Sequence, residues 1–213
     1  MRYSRRYVYE VLVLFCCLAT ALGAWIRFYL GPVPFTLQNV GIALSGLLLP
    51  PSYAALAQLL YLALIGVGLP LSTQGGGIHV LFGYTAGYLW MFPVASALYS
   101  YLVRRYLRSR SLDRISRIDI VVLLMLSAVA IVPLYIVGTL VLYLYATLPR
   151  YQGLATWLTN VANQIFGLRS LGAACIVLGA LVFYPQDVFM DHVLGIAIAI
   201  SVTKLLKARG LLE

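Results

Sequence analysis

The chain has 213 residues, 62% of them apolar and only 10% charged. A soluble domain averages about half apolar and about a quarter charged. Polar side chains are therefore too few to cover a water-facing surface, and the sequence predicts an apolar bundle in lipid. The net charge of +9 points to basic cytoplasmic loops and not to nucleic acid.

A span needs about 20 apolar residues, and the elements follow in chain order by apolar length. Helix 1 is expected over Tyr7–Leu30. Arg2, Arg5 and Arg6 ahead of a run ending Ala21-Leu22-Gly23-Ala24 mimic a secretory signal, but the apolar stretch continues to Leu30, which favours an uncleaved helix. Helix 2 covers Phe35–Leu49 and is stopped by Pro50 and Pro51; helix 3 covers Tyr53–Leu69 and is stopped by Pro70. A glycine-rich loop, Ser72–Val80, precedes helix 4 at Leu81–Val103. A basic loop, Arg104–Arg117, leads to helix 5 at Ile118–Ala146, where Pro133 predicts a kink. Thr147–Arg169 is more polar. Ser170–Tyr184 is apolar, and the last helix is expected over Gln186–Leu206.

Charge sets the span count. Lys and Arg gather on the cytoplasmic side. Six spans put the basic N-terminus, the 104–117 loop and Lys204, Lys207 and Arg209 on one side, leaving Arg27, Arg150 and Arg169 on the other. The expected fold is an all-α membrane protein, a six-transmembrane-helix bundle with both termini cytoplasmic and a ligand pocket near the outer face. It forms one integral-membrane domain, 1–213, in which Ser170–Tyr184 is a half-buried or re-entrant piece packed against protein. Cys16, Cys17 and Cys175 are odd in number and lack metal-ligand spacing, so they read as apolar filler.

Three polar elements fall on the outer face. In the first, Gly31–Gln38, Pro32 and Pro34 stiffen a turn before Thr36 and Gln38. A glutamine amide suits a urea or amide ligand, and capping by Thr36 with a surface Gln38 is the alternative. The second is Gln74-Gly75-Gly76-Gly77-Ile78-His79, followed by Tyr84, Thr85 and Tyr88. It reads either as close backbone approach to a ligand or as a flexible loop before a packing face. The third, Pro185–His192, sets Asp187 and Asp191 on one helix face. Intramembrane carboxylates are functional candidates, and helix capping is the alternative. Arg27 either snorkels to the headgroups or meets a ligand carboxylate. A phosphate-binding GxxxxGK[ST] loop, GxSxG and HExxH are all absent, which weakens an ATPase or a hydrolase.

The run Val33-Pro34-Phe35-Thr36-Leu37-Gln38, the Ser45–Leu49 stretch, the Gly75–Gly77 loop, Gly83-x-Thr85-x-Gly87-Tyr88 and Phe183-x-Pro185-x-Asp187 together resemble the BioY family. These are biotin-specific substrate-binding (S) components of energy-coupling-factor (ECF) transporters. The resemblance covers about residues 12 to 205, and Thr147–Arg169 has little counterpart in it. It implies a prokaryotic cell-membrane protein that captures biotin. It implies a transmembrane coupling (T) subunit and two ATPase subunits as partners, with no enzymatic activity, cofactor or metal of its own. It implies a pocket formed by Thr36, Gln38, Gly75, Gly76, Gly77, His79, Tyr84, Thr85, Tyr88 and Asp187, with Arg27 as a carboxylate partner. It also implies docking of the coupling subunit on Ala19, Thr20, Gly23 and Ala24. One departure is that Met190 stands where the family carries lysine; the compensating groups are Arg27, Arg150, Arg169 or His79. The alternatives are an S component for another vitamin, or a metal-dependent membrane enzyme using Asp187, Asp191 and His79 or His192.

Overall fold

The computed structural model describes residues 5–31, 33–108 and 110–211. Arg2 and Pro32 lie outside the described residues. Helix α1 runs Arg5–Trp25 and gives way to a two-stranded antiparallel hairpin, β1 (Arg27–Leu30) and β2 (Val33–Thr36). Arg27 pairs with Thr36 and Leu30 with Val33. The first helix therefore ends five residues before the expected Leu30, and Arg27 belongs to a strand and not to a helical turn. The short aromatic run Phe28-Tyr29 is as suitable for a strand as for a helix, and Gly31 supplies the left-handed φ of +61° at the turn.

Helix α2, Asn39–Leu48, is buried along its whole length from Val40 to Leu48, so it forms the centre of the bundle. Its 10 residues rise only about 15 Å. Gly41 lets α1 approach: a Cβ there would stand 1.9 Å from Thr20 Oγ1. The adjoining Gln58 of α3 (Pro51–Gly66), itself fully buried, donates to Ser45 Oγ at 2.8 Å and to Thr20 Oγ1 at 3.1 Å. The helix–helix seam is thus small residues joined by a satisfied polar network.

A short helix α4 (Ile78–Leu81) precedes α5 (Ala86–Leu107) and α6 (Arg117–Ala146). Ser116 starts α6 as a capping box: its hydroxyl accepts from Asp119 N at 3.2 Å and its own N–H donates to Asp119 Oδ2 at 2.8 Å. Pro133 lies inside this helix without ending it. The polar stretch after it contains a helix, α7 (Gln152–Phe166), which apolar length alone does not show.

Residues Leu171–Ala208 form one helical run of 38 residues, here α8. Ser170–Tyr184 is therefore not a re-entrant piece. It continues straight into the last helix. Pro185 does not break it, because the helix widens to π turns at Val177–Leu181 and Asp187–Asp191. The first of these carries a five-residue hydrogen bond from Val182 N to Val177 O at 3.0 Å.

Among the described residues, three helices, Arg6–Trp25, Arg117–Ala146 and Leu171–Ala208, are long and apolar enough to cross a membrane. The protein is mostly helical and of membrane type. At one end, Lys207 pairs with Asp113 at 3.0 Å. Hydrogen bonds from Ser111 and Lys207 hold the Asp113 carboxyl down at about 2. Arg104, at the same end, donates to Leu49 O at 3.3 Å. The opposite end carries the hairpin, α7 and the loop Ser72–Gly77, and three cores stack between the two ends. Cys16, Cys17 and Cys175 are buried and unpaired.

Candidate functional site

At the hairpin end a cavity of about 700 Å³ opens between the hairpin, the start of α2, the loop before α4, and helices α5 to α8. That volume suits a small molecule. Arg27 and Thr36 of the hairpin, Gln38, Tyr84, Thr85, Tyr88 and Asp187 all line it. The hairpin is tied down over it by Trp25 Nε1 to Pro70 O at 2.9 Å and Arg27 Nη2 to Thr73 O at 2.6 Å.

At the deep end two buried carboxylates meet. Asp187 Oδ2 accepts from Asn39 Nδ2 and from the Tyr135 hydroxyl. Asp191 accepts from Asn39 N at 3.0 Å and from Gln186, which also reaches Thr36 O at 3.3 Å. One residue at the start of α2, Asn39, thus binds both acids. Neither acid is paired with a cation among the described residues. Asp187 Oδ1 receives no hydrogen bond among the described residues and its carboxylate borders the cavity. That oxygen is an open acceptor for a ligand N–H. Beside it, Gln38 donates to the Tyr61 hydroxyl at 2.7 Å, which passes on to Leu71 O at 3.0 Å. Tyr88 donates to Gly179 O at 2.7 Å, its ring fitting where Gly138 lacks a side chain.

Other residues lie elsewhere. Gly75, Gly76, Gly77 and His79 are not among the cavity-lining residues. Gly75 and Gly77 adopt φ of +91° and +113°, and a Cβ on Gly76 would stand 2.1 Å from Leu69 O. These glycines answer to the loop's own turn and packing. His79 is exposed and folds over Gly77. Of the four groups that could replace the family lysine, Arg27 alone lines the cavity; Arg150 lies over the Tyr151 ring. Met190 is 43% exposed and outside the lining. Thr20, Gly23 and Ala24 are buried, with Gly23 against the Leu37 backbone, so they face α2 and α3 and not an external surface; Ala19 is half-buried.

Sequence reasoning misses Asn39, Tyr135 and Gln186. Asn39 carries a signal, since it extends the polar pair at the head of an otherwise apolar helix. Tyr135 carries none: an isolated tyrosine in an apolar span reads as packing. Among the described residues no three His, Cys, Asp or Glu side chains converge as metal ligands.

The BioY family model matches residues 4–208. The chain belongs to the BioY family. A Rhizobium etli protein named "Biotin transporter BioY" is 29% identical over 82% of this chain and 82% of its own. A Lysinibacillus sphaericus protein named "Probable biotin transporter BioY" is 39% identical, the match covering 55% of this chain and 59% of that relative. A Thermotoga maritima "Biotin transporter BioY" is 41% identical over 39% of this chain and 50% of its own length. The matches to these last two relatives therefore span only 59% and 50% of their length. In fold, the chain resembles a crystal structure of the S-component for biotin from an ECF-type ABC transporter, with a TM-score of 0.68 and 21% identity over 96% of this chain and 95% of that one. BioY membership and the cavity with its acidic floor thus coincide in one chain.

Proposed function

We propose that this chain captures biotin from outside the cell as the S component of an ECF-type transporter, and that it does not itself hydrolyse ATP. The observation that carries this reading is the cavity whose floor presents Asp187 Oδ1 without a donor, in a member of the BioY family. The ureido group of biotin offers N–H donors to such an acceptor, its rings suit the apolar walls, and Arg27 at the rim suits its carboxylate. ATP hydrolysis and coupling fall to a T subunit and two ATPases, in keeping with the missing phosphate-binding loop.

The chain sits in the cell membrane of a prokaryote as six spans: α1, α2 with its flanking hairpin, α3, α5, α6 and α8. The basic end faces the cytoplasm, which puts the cavity at the outer face.

The second reading, an S component for another vitamin, is favoured by Met190 where the family carries lysine. A thermal-shift series on the purified chain separates the two, because a ligand stabilises in proportion to the logarithm of its concentration over its Kd. Biotin is expected to raise the melting temperature, with riboflavin, thiamine and other vitamins inert. A shift with another vitamin and none with biotin would overturn the biotin reading.

A further inference from the structure

Helix α7 belongs to the stretch with little counterpart in the family resemblance, and it forms one wall of the cavity. Leu154, Trp157 and Leu158, spaced i, i+3 and i+4, line that wall. The adjoining stripe of Leu158, Val161 and Ala162 is buried in a core with Val33 and Phe35 of the hairpin and Cys175 and Leu178 of α8. The helix is closed by Gly167 at φ +69°, whose N–H donates to Asn163 O at 2.9 Å. Its wall stripe is therefore held in place by packing on the adjoining side.

The three tryptophans of the chain divide by what holds them. Trp25 and Trp90 are exposed, lie outside the cavity lining, and donate their indole N–H to backbone carbonyls, Pro70 O at 2.9 Å and Leu81 O at 2.8 Å. Such residues suit anchoring at a membrane interface. Trp157 is as exposed as Trp90, but it lies in the cavity wall and makes no indole hydrogen bond among the described residues. A large, stiff aromatic side chain in the wall of a small-molecule cavity gains when a ligand covers it.

We propose that Trp157 is a ligand-contacting residue: its ring packs against the apolar part of the bound molecule, and α7 thereby sets affinity at this site. The inference rests on the biotin-capture reading of the cavity. The test is a fluorescence titration of the purified full-length chain with biotin, in wild type and in the Trp90→Phe, Trp157→Phe and Trp157→Ala variants. Biotin is expected to change the tryptophan emission of wild type and Trp90→Phe, and to leave that of Trp157→Phe unchanged. Measured with labelled biotin, Trp157→Ala is expected to raise Kd about tenfold or more, while Trp157→Phe, which keeps a ring and guards against misfolding of the alanine variant, stays within about threefold. An emission change that survives in Trp157→Phe, or undiminished affinity in Trp157→Ala, would overturn the assignment. If wild type ignores biotin but binds another vitamin, the biotin reading fails, and the same variants titrated with that vitamin decide on Trp157. Binding of no vitamin would overturn both.

Discussion

Gln58 shows how single polar residues hold this bundle together. Its amide sits in a fully buried position and ties α3 to Thr20 of α1 and Ser45 of α2. Interhelical hydrogen bonds in membranes contribute about 0.6 kcal/mol on average, up to about 1.7, and removing the side chain also leaves a void. Gln58→Ala is therefore expected to lower stability by about 1–3 kcal/mol, seen as a lower melting midpoint in detergent, with Gln58→Met less affected because it keeps the volume. An unchanged midpoint in Gln58→Ala would show that the network contributes nothing. The ligand site follows the same logic of scarcity. Asp187 and Gln38 stand out in the sequence because charged and amide groups are rare in an apolar chain. Tyr135 does not stand out, because its role depends on a partner 52 positions away. Gly75–Gly77 read in the sequence either as a cradle for a ligand or as a loop before a packing face, and the positive φ angles of Gly75 and Gly77 and the closeness of Gly76 to Leu69 suit the loop's own turn.

At the scale of elements, apolar length locates the helices of the bundle but does not separate a short strand from a helical turn. Length alone joins Arg27–Leu30 to α1, although the prolines of Gly31-Pro32-Val33-Pro34 are a hairpin-like signal. Helix α7 escapes for the opposite reason. Thr147–Arg169 is too polar to read as a span, yet Leu154, Leu158, Val161, Ala162 and Ile165 recur at helical spacing, the mark of an amphipathic helix. Pro185 argues for a break in α8. The π turns on either side of it absorb the lost hydrogen bond instead, and the second of them contains both Asp187 and Asp191. Irregular helix and candidate site coincide there. Sequence periodicity assumes a regular helix, so it cannot reveal that coincidence.

For the whole molecule, composition indicates the environment, and charge supports the proposed orientation. The scarcity of charge points to lipid, and the proposed topology sets the clustered Lys and Arg on the cytoplasmic face. The ion pair of Lys207 with Asp113 places the C-terminal end of α8 beside the basic loop, as that orientation requires. A C-terminal tag is expected to be reached by a label only after the cell is permeabilised; labelling of intact cells would reverse the topology. The central claim, that the cavity binds biotin through Asp187, is tested most directly by equilibrium binding of labelled biotin to purified wild type and Asp187→Ala. The account predicts saturable binding by wild type and a loss of about 1–3 kcal/mol in the variant, the scale of a charged hydrogen bond. Equal affinity in the two proteins would contradict it.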